Sequence, residues 1–364
     1  MFERGEPGSR HRAGRPSAAR LLVVFAATTI ATFVGVQVVA APAGAATFNV
    51  TNNHDAGSGS LRQALTDAGA AGGSNTVVVA SGIGTITLVS PIEWTSLTGA
   101  AVVIQGNGVT INANGNASAL LADSNTALTF NNFTIKGVGG SQNGDAGAIV
   151  LQGGPLTVSN CTMDSNSVHS TGSDAAVLLS EGGEVHATGC TISGNHVTSG
   201  DGDSGTVNSE GGDVTFQSVT ISKNTVTSSG DGAGGLLAEG GDVRFTSVTD
   251  NCNTVNADGD GAGGLDSEGG TVTISGSSVA GNRATAEGDH ENQILSEGPA
   301  PVLTASTVTD DQSVCAAVTT TTVTTTTVSA TTTTTVPATT PTTTPVAAAA
   351  TPAVPVVAQP AFTG

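Results

Sequence analysis

The chain has 364 residues, room for roughly two or three average domains, yet it is not composed like one: it has 50 Gly, one Trp, no Tyr and only 11% charged residues. Apolar residues at 37% suffice for a core, but so few aromatics and so much Gly and Thr favour thin, layered β architecture over long helices. Net charge is −19, and beyond Ala46 there are 27 acidic against 5 basic residues, a balance that repels nucleic acid and anionic lipid.

Residues 1–46 read as an export signal. Five arginines (Arg4, Arg10, Arg12, Arg15, Arg20) precede a charge-free apolar run from Leu21 to about Ala41. Ala43-Gly44-Ala45-Ala46 then carries the alternate-alanine pattern that signal peptidase cuts. Cleavage is expected near Ala45 or Ala46. An uncleaved anchor is the alternative, because the run approaches a membrane span in length. Either way the body is expected to be secreted or on the cell surface, with no membrane contact after cleavage.

Residues 47–140 are expected to form an N-terminal cap and irregular first coils. Ser60-Leu61-Arg62-Gln63 fits a capping box, and Leu61, Ala64, Leu65 and Ala68 follow at helical spacing. A short amphipathic helix here would shield an otherwise open strand edge. Apolar runs at Thr76–Val79, Thr85–Val89, Val102–Ile104, Val109–Ile111, Leu128–Phe130 and Phe133–Ile135 read as strands of unequal coils.

Residues 141–316 carry six 29-residue repeats. Gln152, Glu181, Glu210, Glu239, Glu268 and Glu297 are each 29 residues apart, the first five followed by Gly-Gly. Asn166, Asn195, Asn224, Asn253 and Asn282 keep the same step and end on Asp311. Ile149, Leu178, Val207, Leu236, Leu265 and Ile294 make an apolar column. After each Gly turn come pairs such as Val185/Ala187 and Val214/Phe216 with polar residues between, the period of a strand with one face inward. Another column runs Met163, Ile192, Ile221, Val279, Val308, interrupted by Asp250. Short strands and Gly turns at constant period stack into a solenoid. Equivalent residues then lie ~4.8 Å apart, which lets the asparagines hydrogen-bond from coil to coil. The predicted fold is all-β, a right-handed parallel β-helix.

A family resemblance supports this. Phe48-Asn49-Val50-Thr51-Asn52, Gly59-Ser60-Leu61-Arg62-Gln63-Ala64 and Gly84-Thr85-Ile86-Thr87-Leu88 resemble the opening of bacterial surface proteins with right-handed parallel β-helix repeats. Ile104-Gln105-Gly106-Asn107-Gly108-Val109-Thr110-Ile111 is similar to an early coil of the pectin-lyase-like superfamily, and Thr191-Ile192-Ser193-Gly194-Asn195 resembles its recurring turn. The resemblance spans about residues 47–311 and implies an extracellular right-handed helix. It implies no activity, since lyases, hydrolases and inert adhesins share the fold.

Residues 317–364 are nearly pure Thr, Val, Ala and Pro without charge, a composition expected of an unstructured stalk. Pro360-Ala361-Phe362-Thr363-Gly364 resembles the core of a sortase sorting motif. It departs from that motif in that no Leu opens it and no apolar segment or basic tail follows.

Candidate chemistry is sparse. Cys161 and Cys190 share an inward column with Val219 and Val248 and are expected as small buried thiols, with a disulfide as the alternative. Cys252 and Cys315 are candidates to pair and staple the last coils. The glutamate column, with Asp145/Asp174/Asp203 in one neighbouring column and Asp231/Asp260/Asp289 in another, stacks like charges at a cost on the order of 1 kcal/mol per neighbour. Ca²⁺ would relieve that repulsion, and Glu181, Glu210, Glu239, Asp201, Asp203, Asp231, Asp258 and Asp260 are the candidate ligands. Side chains splayed into salt-screened solvent are the alternative. No other cofactor is expected.

No catalytic residues are assigned. Lys223, Arg244 and Arg283 fall in different columns, aromatic platforms are scarce, and equivalent carboxylates in equivalent surroundings give no acid and base with separated pKa values. The expected function is a non-enzymatic structural or adhesion-type rod whose partner is a cell-wall polymer, a glycan or another cell surface. The alternative is a polysaccharide lyase or glycoside hydrolase of the same fold.

Overall fold

The computed structural model describes residues 45–94 and 101–315. The expected stalk and the signal segment up to residue 44 lie outside the described residues. What is described is a parallel β-solenoid of about nine coils, built from sheets of 16, 10 and 6 strands. A typical coil contributes Val185–Thr188 and Thr191–Ser193 to the first sheet, His196–Ser199 to the second and Ser204–Glu210 to the third.

The corners explain the turn residues. Gly182, Gly189 and Gly194 take φ of 91°, 63° and 63°, a left-handed conformation that glycine adopts without steric cost. The second Gly of each Glu-Gly-Gly answers a different demand. A Cβ at Gly183, Gly212 or Gly241 would overlap the carbonyl of the glycine one coil earlier.

Register follows the 29-residue step through the repeats: Ile149, Leu178, Val207, Leu236, Leu265 and Ile294 are paired in succession. The first coils step by 29, 27, 26 and 28 residues along one line of strands and by 25 and 24 along the next, so no repeat is visible there although the strands pair in parallel as in the later coils. The first coil is closed by the helix Leu61–Ala71, which buries Leu61, Ala64, Leu65 and Ala68. Ser60 accepts from the Gln63 N–H at 3.2 Å. The reciprocal half of the capping box is not formed: the Gln63 side chain donates to Asp67, and the Ser60 N–H to Gly57. Arg62 pins the helix to the rod through Pro91 O, Ser90 O and Asp55.

The asparagines form a buried ladder. Asn224 Oδ1 accepts from the Asn195 N–H at 2.9 Å and from its Nδ2 at 3.0 Å, while Asn224 Nδ2 donates to Ile192 O. Asn166, Asn253 and Asn282 repeat the pattern. Each amide thus satisfies backbone groups at a corner where water does not reach.

Cys161 and Cys190 depart from the expected free thiols: they form a disulfide, with their Cα atoms 4.5 Å apart. Stacking in adjacent coils brings the two sulfurs together. Cys252 and Cys315 form a second disulfide, which folds the segment after the last strand beneath Gly281.

Asp250 occupies the apolar column between Ile221 and Val279 and is fully buried. One carboxyl oxygen accepts from Asn253 Nδ2 at 2.6 Å; the other has no hydrogen-bond partner. Gly235 makes room for it, since a Cβ there would lie 2.5 Å from Asp250 Oδ2.

Two outcomes are expected. Asn224→Ala strands the Asn195 N–H and Ile192 O in a dry corner, at roughly 1–3 kcal/mol for each group. It should lower the thermal midpoint far more than Thr225→Ala on the exposed face, measured by circular dichroism. Burial raises the Asp250 carboxyl from 3.8 to about 7, so the folded chain holds this proton more tightly than the unfolded chain. The penalty is absent below about pH 4 and full above about pH 7. Asp250→Val should therefore raise the melting temperature at about pH 8 and change it little at about pH 4.

Candidate functional site

The third sheet carries the chemistry on its outer face. Strand alternation turns the row Leu121, Val150, Leu179, Asn208, Leu237, Asp266, Leu295 outward. Even so, Val150, Ala176 and Leu179 are buried as a small apolar cluster apart from the interior core, and Asn208, Leu237 and Asp266 are buried too. The row is the floor of a groove.

One wall is the glutamate column, two residues further along each strand. The other is an aspartate ladder. Asp174 Oδ1 accepts from the Asp203 N–H at 2.7 Å, Asp203 from Asp231 at 2.6 Å, Asp231 from Asp260 at 2.7 Å and Asp260 from Asp289 at 2.7 Å. The two aspartate columns expected from the sequence are therefore one. The step from Asp203 to Asp231 is 28 residues, and the lost residue is absorbed by a register shift between Gly205 and Val207.

The walls reach across to each other. Glu181 is hydrogen-bonded to Asp145, Glu210 to Asp174 and Glu297 to Asp260. Glu239 and Glu268 feel Asp203 and Asp231 as their strongest charged neighbours. Each glutamate thus faces the aspartate of the preceding coil, and those from Glu181 to Glu268, half-buried, roof the floor row, while Glu297 is exposed.

Burial and these neighbours push the glutamates upward, to about 8 at Glu181, Glu239 and Glu268 and about 10 at Glu210. Two carboxylates that share a proton cannot both be ionised cheaply, so Glu181 and Glu210 keep the proton and donate it to Asp145 and Asp174. Asp174 is raised as well, chiefly by burial. At the groove's head, Glu93, Leu121, Val150, Asp145 and Gln152 border a cavity of about 240 Å³.

Among the candidate cation ligands, Glu181, Glu210 and Glu239 lie in one wall and Asp203, Asp231 and Asp260 in the other. Asp201 and Asp258 are exposed, two residues before ladder members. The sequence reasoning passed over Asn208 and Asp266, whose only signal was a polar residue in a column of Leu and Val. Among the described residues no three His, Cys, Asp or Glu side chains already converge as a chelate. Arg244 and Arg283 belong to the first and second sheets, so neither reaches this face. His169 and His186 likewise sit in different sheets.

The fold defines the molecule as a parallel β-solenoid. The chain matches no protein-family model, no curated protein and no solved structure. No helix among the described residues is long and apolar enough to cross a membrane.

The protonated roof has a pH consequence. Glu210 binds its proton more tightly folded than unfolded, so its contribution to stability falls as pH rises from about 4.5 towards about 10. Glu210→Gln keeps an N–H donor for Asp174 and cannot ionise. It should melt higher than wild type at about pH 8 and the same at about pH 4, measured by differential scanning calorimetry.

Proposed function

We propose that the chain is a non-enzymatic, secreted or cell-surface rod, a right-handed β-helix of pectin-lyase-like type carried on its Thr/Pro-rich stalk. Its working surface is the acidic groove of the third sheet, and its partners are a cell-wall polymer, a glycan or another cell surface. The observation that carries this is the cross-groove pairing. Glycosidases hold their two carboxyls roughly 5–9 Å apart so that a glycosidic oxygen and a nucleophile or water fit between them. Here Glu181–Asp145, Glu210–Asp174 and Glu297–Asp260 are close enough for the aspartate to raise its glutamate through a shared proton, a closer approach than a bond to be cleaved between them would need. The pKa values are not uniform, as equivalent surroundings had implied, but every glutamate of the column is shifted in the same direction, upward, with burial the largest cause. No Lys or Arg among the described residues stands on this face to act as a lyase base. A groove of this charge also repels anionic uronic-acid chains and favours neutral or cationic ones.

The expected outcome is binding on a glycan and cell-wall polymer array and no turnover of pectate, alginate or neutral glycans, with or without Ca²⁺. Unsaturated or hydrolysed product that disappears in Glu210→Gln, on the groove wall, would restore the enzyme.

A further inference from the structure

The floor row holds one residue that the groove does not explain. Asp266 stands between Leu237 and Leu295, is 1% exposed, and neither of its carboxyl oxygens has a hydrogen-bond partner. Leucine fills the same place one coil before and one coil after, so packing does not require a carboxyl here. A buried carboxylate without partners is costly. Around it stand Glu268, Asp231, Asp260 and Glu297, all of the same sign. One coil earlier, Glu239 also buries an unpartnered carboxyl oxygen. No basic side chain among the described residues faces this part of the groove.

We propose that Asp266, with Glu268 of its own strand and Asp231 and Asp260 of the facing ladder, binds a divalent cation, Ca²⁺, inside the groove. The inference rests on the groove being the working surface, and it assigns that surface its ligand. A proton on Asp266 neutralises its charge but still leaves an unmet donor beside an unmet acceptor. A cation meets both oxygens at once and draws in the neighbouring carboxylates. The donors are all hard oxygens on irregularly placed side chains. Ca²⁺ accepts six to eight such ligands in flexible geometry, whereas Mg²⁺ demands a near-ideal octahedron and keeps its water. The ladder hydrogen bond from the Asp260 N–H to Asp231 Oδ1 fixes one wall, leaving Asp231 Oδ2 and the Glu268 side chain to turn towards Asp266. The other floor positions cannot do this: Leu121, Val150, Leu179, Leu237 and Leu295 supply no donor, and Asn208 supplies a neutral one.

The test is the melting temperature of the full chain at about pH 8. It is measured in EDTA, then in millimolar Ca²⁺, Mg²⁺ or Na⁺ at matched ionic strength, with calorimetric titration of Ca²⁺ alongside. Ca²⁺ is expected to raise the wild-type midpoint by roughly 5 °C or more, with Mg²⁺ and Na⁺ well behind. Asp266→Leu restores the floor row, so it should melt above wild type in EDTA yet lose most of the Ca²⁺ shift and the calorimetric site. A variant with a merely structural defect would melt lower in both. Asp266→Asn, closer in shape and likewise unable to ionise, should also melt above wild type in EDTA at about pH 8 and lose the Ca²⁺ response. A Ca²⁺ shift no larger than that of Mg²⁺ or Na⁺, or one that survives in Asp266→Leu, overturns the site. That result leaves the rod's non-enzymatic role standing, because only turnover of a polymer removes the latter.

Discussion

In a parallel solenoid each residue's nearest neighbour is its own equivalent one coil away, at the strand spacing of ~4.8 Å. Whatever a column contains must therefore be compatible with itself. Apolar columns meet this condition without difficulty, as Leu178, Val207, Leu236 and Leu265 do. An asparagine column meets it because an amide carries donor and acceptor together, so Asn195, Asn224 and Asn253 extend one another indefinitely. Phenylalanine meets it by stacking: Phe216 and Phe245 lie nearly parallel, their ring centroids 5.4 Å apart.

A carboxylate column does not meet it, because ionised carboxylates only accept. The structure has two physical answers. The aspartates turn to the backbone, each accepting an N–H of the next coil. The glutamates face the aspartates and are pushed towards their protonated forms by burial and by those neighbours, and Glu181 and Glu210 share a proton with Asp145 and Asp174. The stability of this roof depends on protonation, whereas that of the asparagine ladder, whose amides do not titrate, does not. The rod thus has one edge indifferent to solution conditions and one face that responds to them.

Much of this was legible in the sequence and some was not, for identifiable reasons. The unbroken step of the Glu, Asn and Leu columns fixes coil length and strand faces, because an insertion anywhere would throw every later residue out of register. The first coils hid their repeat by varying between 24 and 29 residues, with a register shift inside one strand. The aspartate ladder looked like two columns because one residue is missing between Asp203 and Asp231 and is recovered within the next strand. Burial of the floor row was invisible for another reason. Alternation tells which residues point outward, but not that loops and side chains from both walls close over them. Free thiols were the expectation at Cys161 and Cys190 because parallel strands aim their Cβ atoms alike. Side-chain rotation overcomes that at a Cα separation of 4.5 Å.

Regularity also bears on what the surface can do. A catalytic site needs one group unlike its neighbours, and in a solenoid that means a break in a column. The described repeats contain few such breaks. Asp250 is sealed inside, where no polymer reaches it. Lys223 and Cys252 sit at left-handed corners, and Cys252 is spent in a disulfide. Asn208 and Asp266 are the breaks that face the groove, and both lie beneath acid pairs rather than beside a base. A floor that alternates leucine with a buried amide and a buried carboxyl, under a roof of shared protons, is organised to hold charge in place.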